Sequence, residues 1–176
     1  PNYLPAEANP GPSEWAELRE AQAMALRLPN TAMAVTTDVG DPADIHPVNK
    51  PPVASRLALA AKATVYGLNA ALSPRFKAMS IDGDRVRIRF DRGDLRTSDA
   101  KPPRGFAVAG TDGIFHWAQA VIEGDSVVLK CPQVAKPAAV RYNWANNPVG
   151  NLVSGEGLPV APFRTDDWPM LTAGRR

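Results

Sequence analysis

The hydrophobic and polar positions fall into two patterns that meet near residue 72. Before that point the spacing is helical on either side of one apolar run. Trp15, Leu18, Gln22 and Ala25, with Ala21 and Leu28, trace one helical face. Ser13 is placed to cap this helix, and Glu14 and Glu17 suit its first turn. Pro29-Asn30 breaks the pattern. Thr31 to Val39 is rich in small and β-branched residues, which predicts a buried strand. After a turn-rich loop, Pro51 and Pro52 sit where a second helix can begin. Val53, Leu57, Ala60, Ala61 and Thr64 supply its face, and Gly67 suits its end. Helix, strand, loop and helix in this order predict part of a layered α/β domain. Two helices and one strand cannot cover both faces of a sheet, so further strands are expected from another segment or chain.

From about Ser73 the period becomes two. Ser80 to Phe90 alternates around Asp82-Gly83, a strong hairpin signal. Phe106 to Ala109, Ile114 to Ile122, Ser126 to Cys131 and Ala139 to Trp144 read as further strands between Gly-containing turns. Short strands at this spacing predict an antiparallel β-sandwich. Residues 1–12 and the tail from Asn146 read as irregular, being rich in Pro and Gly. The expected organisation is therefore 1–72 and 73–176.

Composition adds mainly exclusions. The chain has 176 residues, 44% of them hydrophobic, enough for a sizeable core. A net charge of +2, evenly mixed, gives no basic surface for nucleic acid. No apolar run approaches a membrane span, and no signal peptide opens the sequence. Cys131 stands alone, so no internal disulfide forms, and one cysteine with two distant histidines argues against structural zinc.

The candidate chemistry lies in Asp38-Val39-Gly40-Asp41-Pro42-Ala43-Asp44-Ile45-His46-Pro47. A histidine on a loop after a buried strand, with carboxylates a few residues away, suits a general base. A carboxylate can fix the imidazole tautomer and stabilise the imidazolium that forms. Asp44 is one candidate for that acid and Asp38 the other; either could instead serve a turn or cap, and Asp41-Pro42 reads as a turn. His116, next to Trp117 in an expected strand, suits packing. No serine or cysteine sits in a nucleophile-turn pattern. Trp117, Trp144 and Trp168 could stack on sugar rings, with core packing the simpler role for the first two and Trp168 the exposed one.

Several segments together resemble the C-terminal part of sialate O-acetylesterase and its bacterial carbohydrate-esterase relatives, within the SGNH hydrolase superfamily. They are WAELREAQ (Trp15–Gln22), AVTTDVGDPADIHPVNK (Ala34–Lys50), RLALAAKATVYG (Arg56–Gly67), FAVAGTDGIFHWAQAVIEGD (Phe106–Asp125), VRYNWANNP (Val140–Pro148) and GLPVAPFRTDDWP (Gly157–Pro169). The resemblance implies the C-terminal part of an SGNH-type three-layer α/β/α hydrolase domain over 1–72, followed by a β-sandwich accessory domain. It implies removal of acetyl groups from sugar hydroxyls by a Ser–His or Ser–His–Asp site, with no metal or organic cofactor. His46 matches the catalytic base in the DIHP motif. The usual acid position, three residues before the histidine, holds Ala43 here, which leaves Asp44 and Asp38 as alternatives or a dyad oriented by a backbone carbonyl. The serine and oxyanion-hole residues would come from an upstream segment that also completes the sheet, and the chain alone would be inactive. The implied partners are an acetylated carbohydrate and that segment, with no nucleic acid or membrane; the implied location is periplasmic or secreted. The rival expectation is a non-catalytic carbohydrate-binding or structural β-sandwich module.

Overall fold

The structure is a computed structural model and describes residues 2–174. Every strand lies beyond residue 75: β1 (Phe76–Asp82), β2 (Arg85–Phe90), β3 (Leu95–Thr97), β4 (Phe106–Ala109), β5 (Phe115–Trp117), β6 (Gln119–Glu123), β7 (Ser126–Lys130), β8 (Ala139–Tyr142), β9 (Leu152–Ser154) and β10 (Phe163–Arg164). They pair antiparallel throughout, in sheets ordered β1-β2-β7-β6 and β10-β8-β4-β5 and a two-stranded β3-β9. In β2, arginine alternates with Val86, Ile88 and Phe90, so the pleat turns the apolar side chains inward and leaves the arginines exposed. Asp82 pairs with Arg85 across a two-residue turn, and Gly83 has the positive φ of +59° that such a turn requires.

The two four-stranded sheets share one core. Val86, Ile88, Phe90, Val127 and Leu129 pack with Phe106, Val108, Val140, Tyr142 and Phe163. Phe163 sits between the rings of Phe76, Phe90 and Tyr142, with centroids 4.8, 6.1 and 5.9 Å away. The Tyr142 hydroxyl accepts from the Leu152 N–H at 3.2 Å, and burial pushes its ionisation upward.

Two strand expectations change. Ile114 to Ile122 is not one strand: β5 pairs with β4, whereas β6 pairs with β7 in the other sheet. The chain crosses between sheets at Ala118, whose N–H donates to Phe106 O at 3.0 Å. The tail from Asn146 is not irregular throughout. It contributes β9 and β10: Leu152, Val153, Val160 and Phe163 are buried, β9 pairs with β3 and β10 with β8.

The larger correction concerns the first 72 residues. They were expected to belong to a three-layer α/β/α hydrolase fold, but the molecule is a β-sandwich carrying two short helices, α1 (Glu14–Met24, followed by a 3-10 turn over Ala25–Arg27) and α2 (Pro51–Thr64). Residues 31–36 are not in a strand, since among the described residues no strand lies alongside to exchange backbone hydrogen bonds with them. Val35, Thr37 and Val39 are nevertheless buried.

The face of α1 also differs. Ser13 caps it as expected, accepting from Ala16 N–H at 3.1 Å. The stripe expected to be buried faces outward, with Leu18 51% and Leu28 62% exposed. Polar groups dock the helix instead. The Ser13 hydroxyl donates to Asn146, and Arg19 donates to the Ala145 and Asn146 carbonyls. Glu20 accepts from Arg164, and Glu17 accepts from the N–H groups of Leu171 and Thr172 and from the Thr172 hydroxyl. Burial opposes the Glu17 charge, but the bonds from Thr172 and Leu171, with the Arg141 charge, together hold its carboxyl below the usual range.

Candidate functional site

The loop that carries His46 is held at two points. At its start Arg56, on α2 and 10% exposed, donates to both oxygens of Asp38 at 2.6 Å and to Val35 O at 2.8 Å. This is the fork geometry in which guanidinium binds carboxylate well. In its middle the loop is tied to the N-terminal strap: Gly40 N–H donates to the Asn2 side chain and Leu4 N–H donates to Pro42 O at 3.1 Å. The strap is tied in turn to Asn147, between β8 and β9. Asn2 Nδ2 donates to Asn147 Oδ1, and Asn147 Nδ2 donates to Leu4 O, both at 2.7 Å. Buried amides that are fully paired in this way rigidify what they connect.

Beyond Pro42 the backbone makes two Asx turns. Asp41 Oδ1 accepts from Ala43 N–H at 2.8 Å and Asp44 Oδ1 accepts from His46 N–H at 2.7 Å. The His46 side chain is 88% exposed. Its Nδ1 lies 3.7 Å from Asp44 Oδ1, too far for a hydrogen bond. Among the described residues the imidazole hydrogen-bonds to nothing. The two candidate acids and the turn aspartate thus separate. Asp44 adjoins His46 through a turn, Asp38 is engaged by Arg56, and Asp41 serves the backbone.

The serines other than the half-buried Ser73 have other work or lie at the surface. Ser13 caps α1, Ser126 donates to Asp125, and Ser154 accepts from Leu158 N–H. Ser55, Ser80 and Ser98 are exposed, on α2, on β1 and after β3. His116 is half-buried in β5 opposite Val108. Trp117 donates to Ala8 O at 2.8 Å, and Trp144 is buried with the guanidinium of Arg141 5.1 Å from its ring. Trp168 is half-buried and meets Phe115 edge-on at 5.7 Å.

Sequence reasoning missed the residues that position the loop: Asn2, Arg56 and Asn147. The cluster Asn143, Asn146 and Asn147 before Pro148 was a usable signal, because polar residues packed among Trp144 and Ala145 must find partners if buried. The partners of Asn146 and Asn147 lie more than a hundred residues away in the chain.

Fold and loop together define an antiparallel β-sandwich protein that presents an unpartnered imidazole on a braced loop. No family model matches the chain, and no curated protein matches it. Among solved structures, it is similar to a crystal structure of a carbohydrate acetylesterase from Xanthomonas citri, at 47% identity and a TM-score of 0.86. The match covers 89% of this chain and 37% of the other, so the chain spans little more than a third of that neighbour's length.

Proposed function

We propose that this chain is part of a carbohydrate O-acetylesterase, in which His46 is the general base of a Ser–His(–Asp) site and the serine comes from a segment upstream of these residues. The observation that carries the reading is the 47% identity to a carbohydrate acetylesterase over 89% of the chain. The serine hydroxyl attacks the acetyl carbonyl while His46 takes its proton; backbone donors supplied with the serine hold the oxyanion. His46 then protonates the departing sugar hydroxyl, and later activates water to release acetate. An imidazole with no protein partner fits a base whose nucleophile is brought to it. Asp44 is the orienting acid in this scheme, since Asp38 is already engaged by Arg56. Closing the gap between Asp44 and Nδ1 needs a movement of roughly half an ångström, within the tightening expected on assembly.

The incoming segment has a place to bind. Residues 31–36 run outside any strand, beside a groove of about 410 Å³ lined by Leu26, Met33, Val35, Val53 and Leu57; of their carbonyls Val35 O is taken by Arg56 and Thr36 O by Val39 N–H. A strand laid along it would gain main-chain hydrogen bonds and apolar contact together. In this reading 1–72 belongs to the catalytic part and 73–176 is the accessory β-sandwich, in a periplasmic or secreted protein. Among the described residues no helix is long and apolar enough to cross a membrane.

The test is acetate release from acetylated oligosaccharides. The 176-residue chain alone is expected to be inactive. In the longer protein His46→Ala should lower kcat by at least about 10³-fold with the fold retained. Asp44→Ala should cost less. Turnover by the chain alone, or near-normal rates for the His46 variant, would overturn the assignment.

A further inference from the structure

A second feature lies on the β-sandwich, built from residues that the esterase scheme does not use. A cleft of about 560 Å³ opens between the strap at Pro10–Pro12, the Thr111–Phe115 turn and Trp168–Pro169, with Arg141 at its base. That volume lies within the range of small-molecule sites. Its geometry is fixed by buried charge. Arg141, 13% exposed, donates through Nε and Nη2 to both oxygens of Asp166, whose side chain is only 1% exposed. The same guanidinium lies 4.3 Å from the Phe115 ring centroid. Its Nη1 has no protein partner among the described residues. Arg164 fixes the rim, donating to Trp168 O at 3.0 Å and also to Glu20 and Asp166. The Trp168 indole N–H is likewise unengaged among the described residues. Asp112, also lining the cleft, uses one oxygen for Ile114 N–H, and its other oxygen has no partner among the described residues.

We propose that this cleft is a saccharide subsite that takes a neutral pyranose unit of an oligosaccharide chain. The indole and phenyl rings offer apolar faces to sugar C–H groups. Arg141 Nη1 and the Trp168 N–H donate to ring hydroxyls, and Asp112 accepts from them. Fixed donors, a free acceptor and aromatic surface are the combination that polyhydroxylated rings require. Charge selects among sugars: Asp166 and Glu20 balance Arg141 and Arg164, which leaves Asp112 as excess negative charge at the rim. A uronic or sialic acid would be repelled by that carboxylate, whereas a neutral sugar donates hydroxyls to it. The choice of carbohydrate rests on the esterase reading; the place and the preference for neutral rings rest on the cleft.

The experiment is titration of the 176-residue chain with xylotetraose, mannotetraose and cellotetraose, followed by tryptophan fluorescence and calorimetry, with tetragalacturonate as the acidic contrast. At least one neutral tetrasaccharide should bind with a dissociation constant on the order of 1 mM or tighter. Trp168→Ala should weaken it tenfold or more and Asp112→Ala several-fold, each with an unchanged unfolding midpoint. His46→Ala should leave binding as it was. No binding by any neutral tetrasaccharide, equal binding by Trp168→Ala, or preference for tetragalacturonate would overturn the proposal. The two readings fail separately. Acetate release by the longer protein without Trp168-dependent binding removes the subsite alone, and Trp168-dependent binding without acetate release removes the esterase alone.

Discussion

The sandwich and the first 72 residues are held by opposite means. Between Phe76 and Arg164 the sandwich has a large apolar core, with Ile88, Phe106, Val127, Leu129 and Val140 at most 1% exposed. The first block buries little: Ala16, Val35, Val39 and Ala60 are its buried apolar residues. It is attached through Ser13, Glu17, Arg19, Glu20 and Asn2, all making hydrogen bonds to the sandwich or its tail. Meanwhile Leu18, Met24, Leu28, Val48, Leu57, Val65, Tyr66 and Leu68 are exposed. Apolar burial is the main driving force of folding, so a region that docks by polar contacts and shows its leucines to solvent has the character of an interface. The difference locates the catalytic proposal: the loop with His46 belongs to the exposed block, and the braces that hold it reach into the sandwich.

The largest expected effect separates the two regions directly. Phe106→Ala removes a fully buried ring that lies 4.5 Å from Tyr142, and should lower stability by about 3–5 kcal/mol in urea unfolding. A loss below about 1 kcal/mol would mean that this core is less closely packed than the contacts imply.

Next comes the charge network behind the cleft. Burial opposes the Asp166 charge, but the hydrogen bonds and charges of Arg141 and then Arg164 outweigh it and hold the carboxyl below the usual range. Because the folded value is depressed, the contribution is complete above the unfolded carboxylate pKa of about 4 and is lost as pH falls through the folded value. Glu17 follows the same sign. Asp166→Asn keeps the shape and removes the charge, and should cost about 1.5–3 kcal/mol at neutral pH. Its stability should also fall less steeply than the wild type's as pH drops below about 4. Equal slopes would place the acid sensitivity elsewhere.

Asn147→Ala should cost about 1–2 kcal/mol, because it leaves Leu4 O and the Asn2 amide without their buried partner. The informative readout is local. Hydrogen exchange should quicken at Leu4 and Gly40, both tied to this network, and stay unchanged in β2 and β7. Exchange that rises evenly everywhere would show that Asn147 supports global stability only and does not brace the His46 loop.

These contrasts also explain what was legible beforehand. The β2 hairpin and β4 were readable because alternation and turn chemistry are local, and the sandwich followed from them. β3, β9 and β10 were not, since strands of two or three residues exist only through partners such as Ser154 with Leu95, far apart in sequence. Thr31 to Val39 had the composition of an interior strand, and Val35 and Val39 are indeed buried, yet a strand is defined by neighbours that the described residues do not supply. His46 and Asp44 stood out by residue type. That Asp44 is bound into a turn and Asp38 to Arg56 depended on backbone geometry and on a helix eighteen residues away.

The smallest effect tests the interface reading most directly. Leu18 and Leu28 lie on the outward stripe of α1 and just past its end, 51% and 62% exposed. Leu18→Gln has nearly the same helix propensity and volume, and Leu28 lies outside the helix, so neither change disturbs local structure. In the 176-residue chain the double variant should shift stability by no more than about 0.5 kcal/mol, as surface substitutions do. It should also reduce self-association, because it removes apolar surface that water currently covers. In the longer protein the same two side chains should be buried against the upstream segment. Each Leu→Gln should then cost on the order of 2 kcal/mol or more, from lost transfer free energy and a buried amide without partners. The measurement is urea unfolding of both proteins with and without the pair of substitutions. A large loss in the short chain would mean that α1 already packs on this face. Equally small losses in both proteins would mean that the segment carrying the serine does not cover the outward stripe of α1.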